Sequence, residues 1–152
     1  MLSNIINRDD LYSKVLVSVR APHAVFGKVE MKDSISVVDW HMPASISPMS
    51  YVISVRSDDT MRDMIRSAGN FVVNFMGHEQ KSIVLSCEGQ DGLFMDLFEF
   101  LGVSKLDSEK VESPRVGEAK AVLECELMQE MDSGDHTVFI GRVLGGKSEQ
   151  NL

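Results

Sequence analysis

Ser34-Ile35-Ser36-Val37-Val38-Asp39-Trp40-His41-Met42-Pro43-Ala44-Ser45 is the most informative stretch of this chain, and it holds the single tryptophan among 152 residues. Residues 35–39 are rich in β-branched side chains and read as a strand leading into Trp40. Pro43 and Pro48 fix φ and remove backbone donors, so the segment after Trp40 is expected to leave regular structure. A strand that runs into an irregular, serine-rich loop marked by an aromatic side chain presents backbone N–H and C=O groups to a flat ligand. The plainer reading is a tryptophan buried at a strand end.

Working outward, residues 15–19, 23–31 and 51–55 read as further strands. Gly27 is expected to mark a bulge or a close backbone approach. Lys32-Asp33-Ser34 has the residue types of a hairpin turn, although it lacks glycine. The middle third reads as helical. Asp59 or Thr60 can cap a helix, and Met61, Met64, Ile65 and Ala68 then fall on one face at i, i+3, i+4 and i+7. Gly69 ends it. A strand over 70–75 follows, then a short helix over 79–86 and another over 92–101, with Leu93, Phe94, Leu97, Phe98 and Leu101 on one side.

The last third returns to strands. Ala121, Leu123, Cys125 and Leu127 alternate with Lys120, Glu124 and Glu126, the period-2 pattern of a half-buried strand. Asp132-Ser133-Gly134-Asp135 reads as a turn and residues 137–144 as the returning strand. Residues 102–117, rich in charge and serine, read as a long surface connection. Strands with a few inserted helices, rather than alternating strand and helix, predict a mainly β protein: an antiparallel barrel with peripheral α-helices.

The bulk numbers bound the function. The length suits one domain over residues 1–152 with its own core. Composition, 43% hydrophobic and 25% charged, is that of an ordinary folded protein. A net charge of −8 repels phosphate backbones and argues against DNA or RNA as a partner. No apolar run is long enough to span a bilayer. Residues 1–14 carry Asp9 and Asp10 and do not read as a signal peptide. Cys87 and Cys125 have no ligand or redox spacing and read as buried reduced thiols, which fits a cytoplasmic protein. Four scattered histidines give no metal site. No nucleophile elbow is present, and Gly145-Gly146 does not open a helix, so there is no dinucleotide fingerprint.

Arg56, Ser57 and Thr60 form a distinct group. A dianionic phosphate calls for a helix N-terminus, hydroxyl donors and a cation, and these three supply them together. The competing reading is a helix cap beside a solvated strand end. His136, just after a tight turn, is either an exposed turn residue or a group that handles a proton near neutral pH. His41 is as suited to face a ligand as to face away from one.

Four segments in order resemble the flavin reductase-like, FMN-binding split β-barrel family, which includes flavoredoxins and small flavin reductases. The first is residues 38–45 with Pro48. The second is Thr60, then Met64-Ile65 and Ala68-Gly69-Asn70-Phe71-Val72-Val73-Asn74. The third is Ser113-Pro114 to Glu118-Ala119, running into Leu123-Glu124-Cys125. The fourth is Gly134-Asp135-His136, then Phe139-Ile140-Gly141-Arg142-Val143. Together they cover roughly residues 15–145.

The resemblance implies a mainly β fold, an antiparallel, Greek-key-like split β-barrel. It also implies a homodimer with FMN near the interface and NAD(P)H as electron donor. The implied activity is NAD(P)H-dependent flavin reduction, with a non-catalytic FMN-binding protein or electron carrier as the alternative. By the same resemblance, Val37, Val38, Asp39 and Trp40 would line the isoalloxazine ring. Ser54, Arg56, Ser57 and Thr60 would surround the ribityl chain and phosphate, and Asn74 would support that site. His136, with Gly134 and Asp135, would stand on the nicotinamide side. The chain departs from the family where many members carry Asn at Ser34 and a basic residue at Asp58. Many relatives also continue with another apolar strand, where residues 145–152 here are polar and glycine-rich.

Overall fold

The structure, a computed structural model, describes residues 8–148. Half of the segment read above as no signal peptide, and residues 149–152 of the polar C-terminal end, lie outside the described residues.

In chain order the elements are β1 (Leu11–Val25), β2 (Lys28–Val38), β3 (Trp40–Ile46), β4 (Met49–Arg56), α1 (Thr60–Ala68), β5 (Asn70–Gly77), α2 (Lys81–Cys87), α3 (Leu97–Leu101), β6 (Lys105–Leu106), β7 (Arg115–Val116), β8 (Ala121–Ser133) and β9 (His136–Ser148). Seven strands form one antiparallel sheet in the order β2-β1-β5-β8-β9-β4-β3, and β6 pairs with β7 apart from it. β2 and β3 stand at opposite edges of that sheet, yet Asp39 alone separates them in sequence. The two peptide links across Asp39 reach about 7 Å at most. The edges therefore come together at Asp39, and the sheet curls into a barrel. Across the seam, His41 Nε2 on β3 lies 2.8 Å from the carbonyl oxygen of Ser13 on β1.

The middle of β1 is buried on both faces. Val15, Val17 and Val19 join Ile53, Phe71, Val73, Leu123 and Phe139 inside the barrel. Leu16 turns outward to Ile35, Met76, Val84, Leu97 and Phe98, where α2 and α3 cover the sheet. That double burial is why residues 15–19 read as a continuous apolar run. α1 starts where the Asp59 side chain accepts the N–H of Met61 and ends at Gly69, whose φ of 73° is left-handed; Met61 and Ile65 are its buried face.

Several expectations change. Residues 40–46 are a strand: Pro43 is tolerated because β3 is an edge strand, and the ladder is irregular between Pro43 and Ser45. The first hairpin turns at Phe26-Gly27, both at positive φ, so Gly27 closes a turn and marks no bulge. Lys32-Asp33-Ser34 lies inside β2, paired with residues 19–21. The helix expected over 92–101 is only Leu97–Leu101, because Asp96 caps it by accepting Glu99 N–H; Phe94 is exposed. Residues 102–117 are no plain surface connection. Ser113 and Val116 are buried, Ser18 Oγ donates to Pro114 O at 2.6 Å, and Lys110 N–H donates to the buried Glu124 carboxylate at 2.6 Å.

Candidate functional site

The barrel corner at Asp39 opens onto a cleft of about 530 Å³. Four pieces of chain line it: the end of β2 with Asp39 and Trp40, the end of β4 with the start of α1, the segment after α2, and His136. Strand register brings them together. Trp40 pairs with Ser54 across β3–β4, and Arg56 pairs with His136 across β4–β9. The Trp40 indole and His136 imidazole thus flank the end of β4 and stack, with ring centroids 4.4 Å apart and planes at 29°. Trp40 is 62% exposed, which overturns the plainer reading of a buried tryptophan.

Of the residues expected at a site, Val37, Val38, Asp39, Trp40, Ser54, Arg56, Thr60 and His136 line this cleft. Ser57 stands off its wall, with its N–H donated to Asp135 O at 2.9 Å and its Oγ 3.4 Å from Thr137 Oγ1. Asn74 is fully buried. Its amide donates to Leu16 O at 2.8 Å and to Ser18 Oγ at 2.9 Å, and its oxygen accepts Val116 N–H at 2.9 Å. His41 turns toward β1 and β4, with Nδ1 2.7 Å from the Tyr51 hydroxyl.

The sequence reading gave no site role to Ser36, Cys87 or the run Glu88-Gly89-Gln90-Asp91, all of which line the cleft. That run had one usable signal: a polar, glycine-containing stretch just after a helix, where Gly89 takes a φ of 75°.

Electrostatics divide the cleft. Arg56 donates from Nε and Nη2 to the two oxygens of Asp58 at 3.0 and 3.1 Å, which holds the Asp58 carboxyl below the usual carboxylate range. Thr60 Oγ1 donates to Asp91 at 3.1 Å. Ser36 Oγ donates to the Asp59 oxygen that does not cap α1, at 2.6 Å. Lys14 is ion-paired with Glu88 and lies 3.7 Å from Asp39. His136 Nδ1 lies 2.7 Å from Asp135 Oδ1, and this contact holds Asp135 below its ordinary range. Burial, with Asp59 and Glu88 nearby, pushes the Cys87 thiol up to about 12, so it is no thiolate nucleophile. Among the described residues no three His, Cys, Asp or Glu side chains are placed to hold a metal ion, and no helix is long and apolar enough to cross a membrane.

Comparison with known proteins adds three findings. The family described as "Flavin reductase like domain" matches residues 15–152. An uncharacterized protein of Archaeoglobus fulgidus is 30% identical over 113 residues, covering 74% of this chain. The chain spans 64% of that relative's length. Two solved structures share the fold: the flavoredoxin of Desulfovibrio vulgaris (Miyazaki F), with TM-score 0.80 and 21% identity over 92% of this chain and 71% of that one, and the NADH:FAD oxidoreductase of Streptomyces globisporus C-1027, with TM-score 0.73 and 21% identity over 90% and 77%.

Proposed function

The chain belongs to the flavin reductase-like domain family, and from that premise we propose that it is a flavin-dependent oxidoreductase. NADH or NADPH gives up a hydride in the cleft beside Trp40, and the electrons pass on to an acceptor. The observation that carries this reading is the Trp40–His136 stack on the wall of a cleft also lined by the barrel corner.

A bound flavin supplies the hydride and electron chemistry. The protein's own residues bind, orient and exclude water. The ring end of such a ligand fits. The cleft volume lies within the range of about 300–1,000 Å³ usual for small-molecule sites. Asp39 belongs to neither ladder, since Val38 pairs with Val15 and Trp40 with Ser54. Its peptide groups are thus available to the edge of a flat ring, and the exposed indole of Trp40 gives an apolar face. Asp135 engages Nδ1 of His136, leaving Nε2 to orient a nicotinamide amide or hold a proton. Ser54 and Thr60 offer hydroxyl partners to the ribityl chain. The phosphate end of FMN would be a poorer match, because Asp58, Asp59 and Asp91 line the same cleft as Arg56 and Thr60. Exposed Trp40, Met42 and Ile46 along edge strand β3 support a homodimer within the same reading.

Steady-state oxidation of NADH and NADPH, with and without added flavin, tests the proposal. Flavin-dependent oxidation of either nucleotide is the expected result. A protein that binds flavin and oxidises neither nucleotide is a carrier, and the reductase reading then fails.

A further inference from the structure

We infer that the cleft selects a flavin whose tail ends in a hydroxyl, of the riboflavin type, over the phosphorylated FMN. The inference rests on the flavin reading above and names the ligand class of that same site.

Three donors that a phosphate needs stand at the start of α1, and each is already bound to a carboxylate of this chain. The Arg56 guanidinium gives two parallel N–H groups to Asp58 at 3.0 and 3.1 Å, the fork geometry by which arginine would grip a phosphate. The Met61 N–H, in the first turn of the helix, donates to Asp59 at 2.8 Å. The Thr60 hydroxyl donates to Asp91 at 3.1 Å. An incoming phosphate would have to displace the Met61 and Thr60 contacts, and Arg56 would meet it with only the Nη groups that Asp58 does not hold.

Charge acts in the same direction. Lys14 is already paired with Asp39 and Glu88. Asp58, Asp59 and Asp91 line the cleft, and among the described residues Arg56 is the one arginine lining it with them. A phosphomonoester adds a charge of about −1.5 to −2 at neutral pH. A polyol tail ending in a hydroxyl adds none. Its O–H groups donate to carboxylates, so the residues that oppose a phosphate are good acceptors for a ribityl chain.

The test titrates the whole protein with riboflavin and with FMN, reading Trp40 emission and, independently, equilibrium dialysis. At about 0.02 M salt riboflavin is expected to bind at least ~10-fold tighter than FMN, and the ratio is expected to shrink at about 0.5 M salt as screening shortens the reach of the carboxylates. Asp58→Asn combined with Asp91→Asn is expected to shift the ratio toward FMN by about tenfold. FMN binding as tight as riboflavin or tighter at low salt overturns the inference and leaves the flavin reading standing. A ratio indifferent to salt and to the double substitution also overturns it. Binding of neither flavin overturns the flavin reading itself, and the inference with it.

Discussion

Trp40 and His136 are nearly a hundred residues apart in sequence, and their rings stack 4.4 Å apart. The strand between them sets the contact: β4 pairs with β3 through Ser54–Trp40 and with β9 through Arg56–His136. Because Trp40 is the sole tryptophan, its emission reports this pair directly. His136→Ala removes a stack worth about 0.5–1.5 kcal/mol at a site where Trp40 is largely exposed. The expected outcome is altered Trp40 emission, an unfolding free energy lowered by no more than about 1 kcal/mol, and at least ~10-fold slower flavin-dependent NAD(P)H oxidation. Unchanged turnover would remove His136 from the mechanism.

Asn74 serves the fold in a different way. It ties β5 to β1 through Leu16 O and Ser18 Oγ and to β7 through Val116 N–H. Asn74→Ala leaves the Val116 donor buried without this acceptor, at about 1–3 kcal/mol, and removes the amide's bonds to Leu16 O, Ser18 Oγ and Val72 O. Urea unfolding is expected to show a loss of about 2–4 kcal/mol. Flavin affinity measured well below the transition is expected to change less than twofold, roughly. A large fall in affinity with stability intact would make Asn74 part of the ligand site after all.

The contrast between His136 and Asn74 shows what was legible in the sequence. Local signals found β8, β9 and α1 with its Gly69 stop, and narrowed the cap to Asp59 or Thr60, of which Asp59 is the one. The ordered segments found the family, and eight of the residues its resemblance implied line the cleft. Local signals failed where a distant partner decides. Pro43 argued for a loop, but an edge strand leaves one side of the backbone unpaired and accepts it. Glu124 looked like an outward carboxylate until residues 102–117 folded over it and supplied Lys110 N–H. The Glu88–Asp91 wall has no residue pattern of its own, and only the packing of α2 against β1 and β2 brings it to the cleft.

Asp33 predicts an acid limb in the stability curve. Burial alone would push its carboxyl up, but hydrogen bonds from Arg20, at 2.7 and 3.0 Å, and the contact with Lys105, at 2.8 Å, overcome that and hold it below its usual value. A depressed folded value means the contribution is complete above the unfolded value of about 3.9 and is lost as pH falls through the folded one. The stability gap between the native chain and Asp33→Asn is expected to be widest near pH 7 and to close below about pH 4. A gap constant with pH would mean that Asp33 does not act through its charge.

Cys87 lines the cleft but is 2% exposed, with its thiol pushed up to about 12. The thiolate fraction at pH 8 is therefore about 10⁻⁴. Iodoacetamide at pH 8 is expected to leave Cys87 unmodified in the folded protein and to label it rapidly in denaturant, as read by peptide mass. Fast labelling of the folded chain would mean that the segment after α2 opens.

Gly141 on β9 tests the close packing of the barrel. A Cβ there would stand 2.6 Å from Phe71 Cζ and 2.7 Å from Cys125 Cβ, and both of those side chains are fully buried. The phenyl ring has some freedom to tilt, but Cys125 Cβ is fixed to the backbone of β8. Gly141→Ala is expected to cost about 1–3 kcal/mol in denaturant unfolding, the usual penalty of overpacking a filled core. Phe71→Leu removes the nearer of the two obstacles and creates its own cavity. In a double-mutant cycle the cost of Gly141→Ala is therefore expected to fall in the Phe71→Leu background by at least about 0.5 kcal/mol. Strict additivity would place the whole strain on Cys125, and Cys125→Ala would then be the background in which Gly141→Ala becomes mild.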